Sequence, residues 1–184
     1  MKQLLIFSGI LLIFSNAFAQ KSLPSPPVLP RNPDDNKVYY KEISQTDGVE
    51  RAELMKRAMN WVHHYYKNPT GIINLSDSIN GVIILKPQFV TYRVKDDIKV
   101  QASMIRYTLT LGFKDGGKYR YEIKDINLKA DSYFPLEKLF DENDPNVADH
   151  YNTLSEADRT FQELIKGLKK GMDMPSEKIK KDEW

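Results

Sequence analysis

The chain has 184 residues, 41% hydrophobic and 28% charged, which suits one globular domain and excludes wholesale disorder, a collagen-like repeat or a multi-span membrane protein. It contains no Cys, which removes disulfides, thiolate metal sites and cysteine nucleophiles together. Lys and Arg number 27 against 25 Asp and Glu, a net charge of +2 that is too balanced for a protein organised around phosphate backbones.

The first residues read as an export signal. Met1-Lys2 supplies a positive start, Leu4 to Phe14 is nearly unbroken apolar sequence, and Asn16-Ala17-Phe18-Ala19 places small residues where a signal peptidase reads them. The apolar run is shorter than the roughly 18 residues of a membrane span. A signal peptide is therefore expected over 1–19, with cleavage after Ala19 and a periplasmic or secreted mature protein. With no Cys after the run, a lipid anchor is not expected.

Residues 20–36 follow as a Pro-rich linker, holding Pro24, Pro26, Pro27, Pro30 and Pro33. Proline fixes φ and removes a donor, so an extended spacer is expected, with a docking peptide for an aromatic groove as the alternative. A single α+β domain is expected over 37–171, and a loose charged tail over 172–184.

Val38 to Ile43, aromatic and β-branched, reads as a first strand. Asp47, three residues before Glu50, offers a helix N-cap. Leu54, Ala58, Trp61, Val62 and Tyr65 then recur at helical spacing until Asn68-Pro69. Ile72 to Ser78 and Gly81 to Leu85 suggest a hairpin or a bulged pair, with Pro87 marking an edge or a bend. Phe89 to Val94 resumes the strand and Asp96-Asp97 breaks it.

The strongest pattern comes next. Ile105, Tyr107, Leu109, Leu111 and Phe113 alternate with polar residues, and so do Tyr119, Tyr121 and Ile123. Facing residues share a side of a sheet, so a two-residue turn at Gly116-Gly117 would oppose Phe113 with Arg120 and mix the faces. A three-residue loop, Asp115-Gly116-Gly117, pairs Phe113 with Tyr119, Leu111 with Tyr121 and Leu109 with Ile123, with Gly117 at positive φ. Ile126 and Leu128 fall out of phase, which predicts a bulge or the end of pairing near Asp125. Residues 131–146 read as loop. A last helix is expected from about Ser155 to Gly171, capped by Ser155 with Asp158 and lined by Ala157, Phe161, Leu164, Ile165 and Leu168.

The order strand, helix with a central Trp61, several strands, long hairpin and closing helix resembles the bacterial exported family called domain of unknown function 4468, described as TBP-like. The most specific parts are Trp61 and the stretch YTLTLGFKDGGKYRYEI, within a likeness spanning Val38 to Leu128. The resemblance implies a two-layer fold, an antiparallel sheet of about five strands with two helices on one face, and it implies no activity. The TBP-like label invites a DNA reading, but a DNA saddle needs a cationic face and apolar wedges. The open face expected here carries Arg106, Thr108, Thr110, Lys114, Arg120, Glu122 and Lys124, only mildly positive, so no nucleic acid is expected as a partner.

Candidate chemistry is thin. His63 and His64 lack a second ligand one turn on, and His150 stands apart in sequence, so no metal site is expected. Asp141-Glu142-Asn143-Asp144 gathers oxygen donors but lacks the EF-hand glycine, which favours a solvated acidic loop. GxSxG, HExxH and P-loop motifs are missing, and carboxylate pairs such as Asp96-Asp97 or Asp131 with Glu137 carry little information. Tyr39, Tyr40, Tyr92, Tyr133 and Phe134 are candidate partner anchors or simply core. No catalytic residue is assigned and no cofactor is expected. The leading expectation is a non-catalytic binding or interaction module for an envelope protein or small ligand, with a hydrolase acting on extracellular polymers as the alternative. An open, shallow polar sheet face favours the first. An aromatic cleft holding two carboxylates about 5–10 Å apart favours the second.

Overall fold

The computed structural model describes residues 25–95 and 97–176. The expected signal peptide, the first residues of the linker, Asp96 and the end of the tail lie outside them. In chain order the elements are β1 (Tyr40–Gln45), α1 (Arg51–Tyr65), β2 (Ile73–Asp77), β3 (Val82–Leu85), β4 (Gln88–Lys95), β5 (Ile98–Phe113), β6 (Lys118–Leu128), β7 (Phe134–Pro135), a 3-10 turn over Leu136–Phe140, and α2 (Val147–Asp173). All strands join one antiparallel sheet. β1, β6, β5, β3 and β2 lie side by side in that order, β4 continues along β5, and β7 adds to the end of β6.

The predicted hairpin register is the observed one. Phe113 faces Tyr119, Leu111 faces Tyr121 and Leu109 faces Ile123, and all six are buried. Lys114 N–H donates to the Lys118 carbonyl (2.9 Å), closing a three-residue loop in which Gly116 and Gly117 both take positive φ. The phase shift near Asp125 is a bulge, with Asp125 at φ +53° and pairing carried on to Leu128.

Pro87 lies between two strands that share one register. From Val82 to Val90 the partners on β5 descend one for one, from Gly112 to Met104. Proline has no N–H to return to Tyr107, so the pair is joined by the bond from Tyr107 N–H to the Pro87 carbonyl (3.2 Å). The bulge on the β6 side falls between Arg106 and Thr108, so at Tyr107 the β6 ladder shifts register while the opposite ladder keeps its register and lacks one donor. Beyond that point β4 pairs with Ile98 to Met104, Lys95 facing Ile98, so β5 is longer than the alternation predicted. Its first half has no buried face to impose a period of two.

The helices form the second layer. Leu54, Met55, Ala58, Trp61 and Val62 of α1 are buried, while Tyr65, the end of the predicted stripe, is 40% exposed and stacks on Trp61 at 5.1 Å. Asp47 is not the N-cap. Gly48 at φ +72° inserts a turn, Asp47 accepts a hydrogen bond from Gln45 Nε2 (2.6 Å), and α1 begins at Arg51. α2 begins eight residues before Ser155, because Val147, Tyr151 and Leu154 extend its buried stripe. Ser155 Oγ donates to the Tyr151 carbonyl (2.8 Å) within the helix and caps nothing.

Both flanking segments make contacts with the domain. Leu29 is buried, Arg31 pairs with Val38, Tyr39 N–H donates to the Pro30 carbonyl (3.0 Å), and Val38 N–H donates to Glu137 (2.6 Å). Residues 29–32 are thus held against the domain while Pro33 to Asn36 form an exposed turn, because the apolar Leu29 gains burial and the backbone around it finds partners. At the other end Met172 is fully buried, and Ser176 donates to Glu53 through its N–H and its hydroxyl (both 2.8 Å). The Ser176 backbone N–H first, then its hydroxyl and Arg57, hold the Glu53 carboxyl down to about 2 against an ordinary 4.5. A carboxyl depressed by folding stabilises the folded form above its unfolded pKa, and that contribution fades as pH falls towards the folded value. Ser176 is therefore expected to detach from α1 as pH falls from about 4.5 to about 2. An NMR titration of its amide checks this. Glu53→Gln should abolish the transition, and a transition that survives the substitution would assign it to another group.

Candidate functional site on the open face of the sheet

Both helices cover the face that carries Tyr40, Tyr107, Leu109 and Tyr121. The opposite face is built by the alternate residues, and the strand registers line them up in rows. One row runs across five strands as Lys41, Glu122, Thr110, Ile84 and Leu75. The next runs as Ile43, Arg120, Gly112, Val82 and Asp77. The first row is therefore graded, charged over β1 and β6, hydroxylic at β5 and aliphatic over β3 and β2, whereas the second ends on Asp77. Thr108 opposite Lys124 and Arg106 opposite Gln88 extend it.

Glu122 is the centre of the charged end. It is 9% exposed, with Arg120 Nε at 3.3 Å and Lys41 Nζ at 3.7 Å. Burial, the Glu122 charge and a hydrogen bond to Glu122 push the Tyr39 hydroxyl above its ordinary pKa. A buried carboxylate needs such partners, and in return it fixes where the two cations sit. Arg120 lies across Gly112, whose missing side chain leaves room for the guanidinium 3.7 Å from where a Cβ would stand. Lys41 and Ile43 were not named in the sequence reading of this face. Their alternation with Tyr40 was visible, but which strand lies beside β1 is not written in β1 itself.

The other sequence candidates are dispersed. His63 and His64 lie in the last turn of α1 and His150 in the first turns of α2. No three His, Asp or Glu side chains among the described residues are placed to hold a metal ion. Asp141 and Asp144 accept the backbone N–H of Asn143 (3.0 Å) and Asn146 (2.7 Å), making turns of the acidic loop. Tyr40 is buried and donates to Asp158 (2.8 Å), whereas Tyr92 and Tyr133 are exposed at separate places. A hollow of about 540 Å³ brings Asp35 and Glu137 near Tyr133 and Phe140. Both carboxylates are engaged by backbone there, Asp35 by Lys37 N–H (3.2 Å) and Glu137 by Val38 N–H.

Residues 39–129 match the sequence family described as a domain of unknown function with a TBP-like fold, DUF4468. The chain carries a DUF4468 domain. The match takes in α1 and β1 to β6, the elements that make the open face. Among solved structures, a DUF4468 family protein from Bacteroides ovatus superposes with a TM-score of 0.62 at 14% identity, over 82% of this chain and 94% of that one. A TBP-like protein from Parabacteroides distasonis superposes with a TM-score of 0.53 at 16% identity, over 72% and 93%. At these identities the likeness is one of fold. No curated protein matches the chain. The DUF4468 family carries no assigned activity.

Proposed function

We propose that this DUF4468 domain is a non-catalytic binding module of an exported protein, and that it engages an envelope protein or small ligand through the open sheet face. The supporting observation is the graded row from Lys41 through Thr110 to Leu75, a shallow polar surface left uncovered by both helices. Exposed cations, hydroxyls and aliphatic groups in one plane offer a partner both steering charge and burial area.

The test is crosslinking in intact cells followed by mass spectrometry, comparing the wild type with Arg106→Glu/Lys124→Glu. Both side chains are exposed and neither makes an ion pair among the described residues, so the fold should keep its melting temperature. A partner recovered reproducibly with the wild type and lost with the variant is the expected result. Equal recovery with both would take the open face out of the interaction. Removing residues 21–36 is not a usable control, since Leu29 belongs to the core.

A further inference from the structure

We infer that the open face takes an acidic amphipathic helix of a partner protein, laid along β5, an inference that rests on that face being the binding surface. Side-chain size makes a shallow trough there. The floor is β5, where Thr108 and Thr110 stand on the open side and Gly112 adds no side chain. β6 forms one bank with Lys118, Arg120 and Lys124, long side chains that alternate with the buried Tyr119, Tyr121 and Ile123. β3 forms the other with Val82 and Ile84, backed by Leu75 of β2. The banks stand two strand spacings apart, about 10 Å, and a helix with its side chains is about 10–12 Å across. From Gly112 to Arg106 the floor runs about 20 Å, the length of about 14 residues of helix.

Charge selects the occupant. Arg120 and Lys41 share the one carboxylate of Glu122 (3.3 and 3.7 Å), and Lys118 and Lys124 are exposed and make no ion pair among the described residues. Arg120 also lies over Gly112, so its guanidinium reaches the floor. At the far end Lys86, which keeps the common register of β3 and β4 and stands level with Thr108, and Arg106 add two more cations. The acids of this face are Glu122, Asp125 at the bulge, and Asp77 at the outer end, whose carboxylate accepts the N–H of Ile79 and of Asn80 (both 2.9 Å). The β6 bank therefore keeps an excess of positive charge, and it faces an aliphatic bank. A polysaccharide or a nucleic acid meets the cations but has no aliphatic side chain to bury on Val82, Ile84 and Leu75. A helix with carboxylates on one flank and apolar side chains on the other meets both banks.

The test is an NMR titration of the full chain with a helical peptide of about 14 residues, leucine on one face, glutamate on the adjoining flank and alanine elsewhere. The comparison probes are the same peptide with lysine for every glutamate, polyglutamate, heparin and a DNA duplex. The acidic peptide should shift the amides of Thr108, Thr110 and Ile84 saturably, and the lysine peptide should not. Thr108→Tyr fills the floor with a good strand former, so it should abolish binding while the melting temperature holds. Lys118→Gln/Lys124→Gln should weaken binding about tenfold, the loss of two exposed charge pairs. No saturable shift, an equal response to the lysine peptide, or unchanged binding in Thr108→Tyr would each overturn the assignment. So would polyglutamate, heparin or DNA binding as tightly as the acidic peptide, which would give the face to a polyanion. A silent titration beside a partner still lost from Arg106→Glu/Lys124→Glu in cells removes the acidic helix and keeps the binding face. Equal crosslinking by wild type and that variant removes both.

Discussion

Phe161→Ala is expected to destabilise the protein by about 3–5 kcal/mol, the range for removing a fully buried aromatic ring. Phe161 is the residue through which α2 grips the sheet. It is 0% exposed, and its ring meets Tyr40 at 5.1 Å, Phe89 at 5.4 Å and Tyr107 at 5.1 Å. Those three rings come from the start of β1, from β4 and from the middle of β5, so collapse around the vacancy would require several strands to move at once. In a chain of this length each kcal/mol lowers the melting temperature by about 2–4 °C, giving a fall of about 6–20 °C. Val28→Ala, at a side chain 96% exposed, should stay within about 0.5 kcal/mol and serves as the control. Denaturant unfolding of both variants decides the point. A Phe161→Ala cost below about 1 kcal/mol would show that the layers are held together elsewhere.

The second large effect is at the hairpin tip, where neighbouring glycines make an internal comparison. Gly116 and Gly117 have φ of +79° and +77°, so alanine at either is strained by about 1–2 kcal/mol. They differ in what surrounds them. Nothing lies within 4 Å of a Cβ on Gly116, whereas a Cβ on Gly117 would stand 2.0 Å from the Thr46 carbonyl oxygen. Relief of that overlap must part the hairpin from the β1–α1 loop and stretch the bond from Thr46 N–H to the Gly117 carbonyl (2.8 Å). Gly117→Ala should therefore cost about 1 kcal/mol more than Gly116→Ala, the size of one net hydrogen bond. Equal unfolding free energies for the two variants would mean that the loop yields freely.

These features differ in how far the sequence announced them. The hairpin register followed from alternation alone, because a slip of one residue would have put Arg120 opposite Phe113 on the buried face. The bulge at Asp125 showed as a change of phase. The first two turns of α2 were hidden by composition. Asp141 to Pro145 reads as loop, Asn146 makes no side-chain cap, and the apolar signal rests on Val147, Tyr151 and Leu154 among polar neighbours. The packed part of the Pro-rich lead was equally obscure. Its one buried side chain is Leu29, and the strand residue that Arg31 pairs with, Val38, is itself held by the distant Glu137. The polar residues of β5 and β6 on the open face could be named in advance, but the rows that join them to Lys41 and Leu75 depend on strand order.

At Tyr107 the pairing of β5 changes on both sides, by a bulge towards β6 and by a missing donor at Pro87, although the register past Pro87 is kept. β6 reaches beyond this point, with Asn127 facing Arg106 and Leu128 facing Ile105. Bulges and prolines are the places where strands change direction. Tyr107 is itself held firmly, its hydroxyl 2.9 Å from that of Tyr66 and its ring against Phe161. The place where the strands change direction is thus the place where the helical layer grips the sheet.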